Sequence, residues 1–203
     1  MDKDLQGFRV AILATDGVQE AELTEPLKAL KEAGADVRVL SLKPGKIQAV
    51  RAKDIEHGER LPVDGVVTDA AAEDFDGVVL PGGAVNADTL RYEPAVQRFL
   101  RTMDDAGKPF AVICHAAWEL VSAGLVEGRT LTSYHTIQDD IRNAGGNWID
   151  AEVAKDDNWV TSRQPGDLPA FNDAMLDLFR RSRDERAPSR RAARQPRGEE
   201  GRP

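Results

Sequence analysis

The sequence is poor in the residues that build disulfide-bonded folds and metal sites. Its 203 residues include one cysteine and three histidines. A single cysteine excludes an internal disulfide and any site in which several cysteines bind a metal. The histidines are scattered, with no acidic residue at ligand spacing, so we expect no metal and no cofactor. Cys114 is then either a small buried apolar residue or a reactive thiol.

Long hydrophobic runs are also absent. No stretch of about 18 apolar residues is present, so no membrane span is expected. The first five residues, Met-Asp-Lys-Asp-Leu, lack the basic start and apolar core of a signal peptide. We therefore expect a cytoplasmic protein. The length and the 41% hydrophobic content suit one globular domain, placed over residues 8–180 after a flexible segment over residues 1–7.

Basic residues are scarce except at the end of the chain. Residues 180–203 hold nine arginines against four acidic residues, and the formal net charge of -8 therefore leaves about −13 on residues 1–179. An acidic body argues against a nucleic-acid-binding surface, because phosphate contacts need clustered Lys and Arg. Residues 181–203 lack apolar periodicity, so we expect a disordered, arginine-rich tail. Only this tail could contact nucleic acid or an acidic partner.

Short apolar runs alternate with segments of helical spacing. The runs are too short for typical helices and contain many β-branched residues, which predicts buried strands. Leu23, Leu27 and Leu30 recur at helical spacing, and Gly34 ends that helix. Strands are predicted over 8–14, 36–42, 75–80 and 110–113, with short strands near 131–132, 148–153 and 159–162, and helices over 23–33, 94–106, 114–123 and 168–180.

This alternation predicts the fold class. Successive strand–helix–strand units form an α/β domain with a doubly wound, mostly parallel sheet and right-handed crossovers. Residues 43–73 are rich in Pro, Gly and charge, and we interpret them as an irregular excursion with short strands. The segment that follows Gly83 is interpreted as a loop.

Cys114 lies where a buried strand passes directly into a helix. Such an elbow projects the residue at its apex from the carboxyl end of the sheet, where open α/β sheets bind ligands. The small residues Ala116 and Ala117 suit close helix packing there. A helix N-terminus favours a thiolate, so the pattern predicts a lowered pKa for Cys114. The alternative is an inert core cysteine, and the pattern leaves the two interpretations evenly matched.

A second strand ends in Leu80-Pro-Gly-Gly83. Two glycines at that position allow backbone N–H groups to face an open pocket, where they could hold an oxyanion beside Cys114. Taken alone, a Gly-Gly pair after a strand is more often an ordinary turn.

Together these motifs resemble the DJ-1/PfpI family, and its PfpI-like branch most closely. Ala111-Val-Ile-Cys-His115 follows one strand, Leu80-Pro-Gly-Gly83 follows another, and an acid stands at the first strand–helix junction. The likeness covers roughly residues 8–180. It implies a fold of the flavodoxin-like or class I glutamine amidotransferase-like type with a nucleophile elbow. Further matching stretches are 75–83, 133–140, 143–146 and 158–163.

The resemblance implies a role for each matching position. Cys114 corresponds to the family's nucleophile and Glu22 to the acid that contacts it. Gly83 and His115 match the positions whose backbone N–H groups form the oxyanion pocket. The imidazole of His115 is the base proposed for the PfpI-like branch, oriented by a carboxylate from a neighbouring subunit. Adjacency alone does not establish a Cys–His pair, because the residue after an elbow nucleophile points away unless its ring turns back.

Three further residues are candidates around this site. The orienting acid would lie after Gly83, where Asp88 is a candidate with the alternative of a solvated loop aspartate. Tyr134 stands where the family places a pocket aromatic or histidine, and His135 follows it. His135 could carry a proton or be a buried structural histidine.

The resemblance leaves three functions open. The first is a stress-protective cysteine enzyme that converts reactive carbonyls, such as methylglyoxal to lactate, or removes them from glycated proteins. The second is an intracellular cysteine peptidase, which needs a well-oriented His115. The third is a redox sensor or chaperone in which Cys114 is oxidised. The expected partners are a small carbonyl, a glycated substrate or a peptide, together with further copies of the chain in a homodimer or larger assembly.

Overall fold

The computed structural model describes residues 4–51 and 56–194. Twelve strands and six α-helices alternate along these residues. The strands are β1 (Arg9–Leu13), β2 (Val18–Gln19), β3 (Asp36–Ser41), β4 (Lys46–Arg51), β5 (Glu56–Pro62), β6 (Gly65–Val66), β7 (Gly77–Leu80), β8 (Phe110–Ile113), β9 (Thr130–Leu131), β10 (Asn147–Trp148), β11 (Val153–Asp156) and β12 (Trp159–Ser162). The helices are α1 (Glu20–Glu32), α2 (Ala84–Tyr92), α3 (Pro94–Asp105), α4 (Ala117–Ala123), α5 (Gln138–Asn143) and α6 (Leu168–Arg194).

Seven strands form the main sheet, in the order β11-β12-β8-β7-β1-β3-β6. Every pairing is parallel except that of β11 with β12. The chain moves from β1 to β3 in one direction and later from β7 to β8 in the other. The strand order therefore reverses between β1 and β7, which places a topological switch point at the carboxyl ends of these strands.

The sheet separates two apolar layers. Alternate residues of β1 enter different layers: Val10 and Ile12 pack on one face, and Ala11 and Leu13 on the other. Helices α1 and α6 cover the first face, and α2, α3 and α4 cover the second. Strands with both faces covered read as continuous apolar runs, as β7 and β8 do. The predicted doubly wound α/β fold is confirmed.

Two elements between residues 43 and 93 differ from the sequence prediction. Residues 43–73, interpreted as an irregular excursion with short strands, contain the short strand β6 and a longer antiparallel hairpin of β4 and β5, which joins β2 in a separate three-stranded sheet. The hairpin was hidden because β5 is largely exposed and polar, so it lacks the alternation of a half-buried strand. The segment after Gly83 is the helix α2, not a loop, and only three of its nine residues are buried.

Ordered elements extend past both ends of the predicted domain. Residues 4–7 were expected to be flexible, yet Leu5 is fully buried and its N–H donates to Ala33 O at 2.9 Å. Helix α6 was expected to end near Arg180, but it continues to Arg194. Arg, Glu and Ala between residues 180 and 187 have good helix propensity, so a helix that is already formed can extend beyond Arg180. The rest of the predicted tail, 195–203, lies outside the described residues.

Within residues 4–51 and 56–194, no helix has the length and apolar content to cross a membrane. Over those ranges, no group of three or more His, Cys, Asp or Glu side chains is placed to hold a metal ion.

Glu119 is a charged residue type in an apolar layer. It lies in α4, is fully buried, and neither carboxylate oxygen has a hydrogen-bond partner among the described residues. Helices α2, α3 and α5 pack against α4. Burial raises the pKa of the Glu119 carboxyl well above its usual range. The folded chain therefore holds a proton on Glu119 at pH values where the unfolded chain has released it.

We predict that Glu119→Gln increases stability more at pH 8 than at pH 5. Between the unfolded-state pKa and the folded-state pKa of Glu119, the native wild-type protein binds one more proton than the unfolded chain. Over that range its free energy of unfolding falls by up to about 1.4 kcal/mol for each pH unit. Glutamine keeps the shape and does not titrate. Thermal unfolding at pH 5, 6.5 and 8 should show a growing gain in Tm, about 2–4 °C per kcal/mol.

The exposed Glu127, changed to Gln, is the control for this comparison. Its side chain meets water in both states, so it should give little change in Tm at any of the three pH values. A gain for Glu119→Gln that is constant with pH would contradict a proton held on Glu119.

Candidate active site

Cys114 has a backbone conformation that side chains rarely adopt. Its φ is 65°, in the left-handed region, directly after β8. Cys114–Ala116 form a short 3₁₀ turn, and α4 begins at Ala117. Ala116 and Ala117 are buried, as close packing at an elbow requires. The turn directs the thiol toward the switch point of the sheet.

Glu22 reaches the same point from α1. Its side chain is fully buried, and Oε2 accepts a hydrogen bond from Gly82 N–H at 2.8 Å. The carboxyl also hydrogen-bonds the Cys114 thiol. The acid and the cysteine are therefore directly hydrogen-bonded, although they lie 92 residues apart in the sequence.

Gly82 and Gly83 leave no room for a side chain. A Cβ on Gly82 would lie 2.6 Å from both Cys114 Cβ and Glu22 Oε2. Gly83 has φ 93°, and a Cβ there would overlap with Gly17 O. The N–H groups of Gly83 and His115 both donate to Cys114. Their common direction suits a negative charge on sulfur or on an oxygen that replaces it.

The ring of His115 turns back toward the cysteine. Its Nδ1 lies 3.2 Å from Cys114 Sγ, and its Nε2 lies 3.4 Å from Thr136 Oγ1. The ring stacks on Tyr134 with centroids 4.6 Å apart and contacts Trp118 at 5.4 Å. Two aromatic neighbours thus hold the imidazole where one nitrogen can exchange a proton with the thiol.

The pKa of Cys114 is raised, not lowered. Burial is the largest cause, the negative charge of Glu22 is the second, and the Gly83 and His115 N–H groups oppose them only partly. The prediction from the helix N-terminus was wrong because α4 begins three residues later and has only seven residues. Since like charges repel in a buried site, Cys114 and Glu22 together retain a proton at neutral pH.

Asp88 lies outside the group of residues around Cys114. It is exposed on α2 and pairs with Arg91 at 3.0 Å, and the described lining of the cavity beside Cys114 does not include it. Arg91 in turn lies over the Trp118 ring at 4.8 Å, so Asp88 is linked to His115 only through intervening side chains. A role for Asp88 toward the His115 of a neighbouring subunit stays a prediction, as does the homo-oligomer itself.

Tyr134 belongs to the site, and His135 lies behind it. Tyr134 lines the cavity, and its N–H donates to Cys114 O at 3.1 Å. His135 is exposed, and the centroid of its ring lies 4.5 Å from that of Tyr134. It is therefore not the buried structural histidine considered as an alternative.

A cavity of about 790 Å³ opens in front of Cys114. The β4–β5 hairpin forms one side of it, where Arg51 donates to Glu20 Oε1 at 2.9 Å and 2.5 Å and Glu59 N–H donates to Oε2. This contact lowers the pKa of the Glu20 carboxyl. The cavity is lined by Gln19, Glu20, Ala21, Glu22, Thr24, Glu25, Arg51, Gly83, Cys114, His115, Tyr134, Gln164, Pro165 and Gly166.

Comparison with known proteins identifies the family of this chain. The model of the DJ-1/PfpI family matches residues 8–178. The chain belongs to the DJ-1/PfpI family.

Its relatives carry different functional names. "Deglycase TK1284" of Thermococcus kodakarensis is 42% identical over 85% of this chain and 100% of its own length. YraA of Bacillus subtilis, provisionally named a cysteine protease, is 39% identical over 85% of this chain and 98% of its own. A crystal structure from Anabaena variabilis with DJ-1/ThiJ/PfpI-like and ferritin-like domains has a TM-score of 0.77 and 34% identity, covering 84% of this chain and 47% of that one.

Several residues of the site were not predicted from the sequence. The sequence identified Gly82 as part of a Gly-Gly pair but assigned it no role of its own. Arg51 lies in the segment interpreted as an irregular excursion with short strands. Asn86 lies in the unpredicted helix α2, where it is a fully buried polar residue. No start signal precedes α2, because its N-cap is Gly83 and no side chain caps it, so no local pattern indicated Asn86.

We predict that Gly82→Ala abolishes the reactivity of Cys114 toward a thiol reagent at neutral pH, or lowers it at least about tenfold. The added Cβ must displace Cys114 or Glu22, because backbone and buried atoms surround it. Gly166→Ala is the matched control, since it lines the same cavity and its Cβ would meet only Gln164 Nε2 at 3.9 Å. Equal alkylation rates in the two variants would contradict the packing assigned to Gly82.

Proposed function

We propose that this protein is a cofactor-independent cysteine enzyme that acts on reactive carbonyls, converting methylglyoxal or its adducts on amines to lactate. The observation that carries the proposal is the position of Cys114 Sγ, which faces the cavity with the Glu22 carboxyl and two backbone N–H donors directed at it. These are the groups that addition to a carbonyl requires: a nucleophile, an acid and an oxyanion site. The deglycase name of a relative supports the same chemistry.

The single proton of the Cys114–Glu22 pair determines how the nucleophile is formed. With the proton on Glu22, the thiolate accepts hydrogen bonds from Glu22 and from the N–H groups of Gly83 and His115. The repulsion from Glu22, the second cause of the raised pKa of the thiol, then disappears, while burial still acts against the thiolate. Transfer from sulfur to carboxylate needs no proton from solvent, so the reactive form persists across neutral pH.

Turnover then proceeds in balanced steps. Cys114 Sγ bonds to the aldehyde carbon, and the resulting alkoxide takes the proton of Glu22 to give a hemithioacetal. His115 removes the hydrogen on that carbon as a proton. The hydroxyl proton of the same carbon passes through the Glu22 carboxylate to the neighbouring ketone oxygen, and His115 returns its proton to the second carbon, which gives a lactoyl thioester. Water cleaves the thioester to lactate, a released proton and the thiol. One carbon is oxidised and its neighbour reduced, so no external oxidant is needed.

The cavity is larger than a free three-carbon dicarbonyl requires. Its volume of about 790 Å³ is in the range that holds drug-sized ligands. A carbinolamine formed by methylglyoxal on an amino group fits this space better. Attack by Cys114 on such an adduct breaks the C–N bond, the amine leaves with the proton of Glu22, and the same hemithioacetal results.

We predict that Cys114→Ala and Glu22→Gln both lose lactate production from methylglyoxal. The first removes the nucleophile and should reduce turnover at least about 100-fold. The second removes the acid that protonates the alkoxide, which typically costs about 100-fold or more. Lactate should be measured with a metal chelator present, for free methylglyoxal and for its adduct on a blocked arginine or lysine.

Glu25→Gln is the control, because Glu25 lines the same cavity and is exposed. Its activity should stay near that of wild type. If wild-type protein forms no lactate from either substrate, the proposed function is wrong, and peroxide oxidation of Cys114 becomes the competing explanation of the site.

We predict that the alkylation rate of Cys114 in wild type changes little between pH 6 and pH 8, because the thiolate forms by proton transfer to Glu22. Glu22→Gln cannot accept that proton, so its alkylation rate should rise about tenfold per pH unit while the thiol titrates. The measurement is the second-order rate with iodoacetamide, since Cys114 is the sole cysteine. A wild-type rate that rises tenfold per pH unit over this range would locate the proton on sulfur.

Peptide hydrolysis is a second candidate function. It is favoured by the 3.2 Å separation of Cys114 Sγ and His115 Nδ1, since a peptidase needs a base that later protonates the leaving amine. Cleavage of a fluorogenic peptide that is lost in Cys114→Ala and in His115→Asn, but kept in the exposed control His135→Asn, would support it.

A further inference from the structure

Asn86 is a buried side chain whose hydrogen bonds all end on the loops of the candidate site. Its side chain is fully buried. Nδ2 donates to Pro81 O at 3.0 Å and to Gly82 O at 3.2 Å, and Oδ1 accepts from Thr15 N–H at 2.7 Å. Thr15 follows β1, and Pro81 and Gly82 follow β7. One amide group therefore ties together the two strand ends between which the sheet order reverses.

The two carbonyls that Asn86 binds belong to the peptide units that serve the site. In a planar trans peptide, the C=O and N–H groups point in opposite directions. The Pro81 carbonyl is held by Asn86, and the N–H of the same unit, on Gly82, donates to Glu22 Oε2 at 2.8 Å. The Gly82 carbonyl is held by Asn86 and by Gln19 N–H at 3.1 Å, and the N–H of that unit, on Gly83, donates to Cys114.

Glycine makes this support necessary. A Gly-Gly segment can adopt several backbone conformations at little cost, so its peptide planes are not fixed by sterics within the loop. Contacts from outside must fix them. Gln19 N–H holds one carbonyl, whereas the Asn86 amide holds both.

We propose that Asn86 is a positioning residue that orients the Gly82 N–H toward Glu22 and the Gly83 N–H toward Cys114 or the substrate oxyanion. This rests on the proposed function in one respect, that the Gly83 N–H group receives the oxyanion during turnover. The orientation of both peptide units in the resting protein does not depend on what the substrate is. Asn86 acts through these peptide groups and does not contact substrate.

The test replaces Asn86 with Asp and with Ser. Asn86→Asp is isosteric and keeps the acceptor for Thr15 N–H, but it places carboxylate oxygens against two carbonyls. Asn86→Ser is neutral and smaller, so it removes the double tie without adding charge. The matched control is Asn158→Asp, because Asn158 Nδ2 also donates to a backbone carbonyl, Lys108 O, at 2.7 Å away from the cavity.

Two readouts are taken on folded protein, with far-UV circular dichroism and Tm recorded for each variant. For both Asn86 variants we expect the iodoacetamide profile of Cys114 to shift, with rates below those of wild type between pH 6 and pH 8 and a rise only at higher pH, since a thiolate that loses an aligned N–H donor is less stable. We also expect kcat for lactate formation to fall about 10–100-fold with a smaller change in KM. Asn158→Asp should change Tm at most.

The two readouts distinguish this proposal from the proposed function. If wild type makes no lactate and the alkylation profile still shifts in the Asn86 variants, the positioning role stands and the proposed function fails. If both variants fold and their alkylation profiles match that of wild type, the positioning role is wrong even where lactate is formed. Unfolding of both variants, with Asn158→Asp folded, would overturn a role confined to the site.

Discussion

The left-handed backbone of Cys114 is the constraint on which the rest of the site depends. A non-glycine residue with φ near 65° costs about 1–2 kcal/mol, and it persists only where the surroundings determine it. Here β8 enters the turn in register with β7 and β12, and α4 leaves it with buried alanines against the core. Tyr134 N–H holds the Cys114 carbonyl. This strain turns the sulfur and the His115 N–H to the same side.

Burial gives the arrangement its electrostatic character. A thiol and a carboxyl that share a water-poor site cannot both ionise at neutral pH, so the pair carries one negative charge. Two glycine N–H groups and that of His115 surround this charge, and a side chain at either glycine would displace it. The same absence of side chains that brings backbone donors close to sulfur also leaves the loop dependent on Asn86 and Gln19 for its orientation.

The strands and the nucleophile were predictable because their signals are local. Short apolar runs before Pro81 and Cys114 gave β7 and β8 correctly, and the strand-to-helix passage at Cys114 predicted the elbow. The pairing of Glu22 with Cys114 came only through the resemblance, since 92 residues separate them and an acid near a helix start has an ordinary explanation. Helix α2 and the β4–β5 hairpin were not predicted, because largely exposed elements lack the apolar periodicity on which such predictions rest.

The reaction that the site can support depends on which substrate atom receives the proton carried by His115. Carbonyl chemistry needs a proton moved between neighbouring carbons of one small molecule, whereas peptide hydrolysis needs one delivered to a leaving nitrogen. The position of His115 is compatible with either step, because its ring contacts Tyr134 and Trp118 and its Nδ1 lies 3.2 Å from the sulfur. The charges of the cavity wall do not decide between the two. Glu20 is kept ionised by Arg51, and both side chains line the cavity, so their opposite charges largely cancel there.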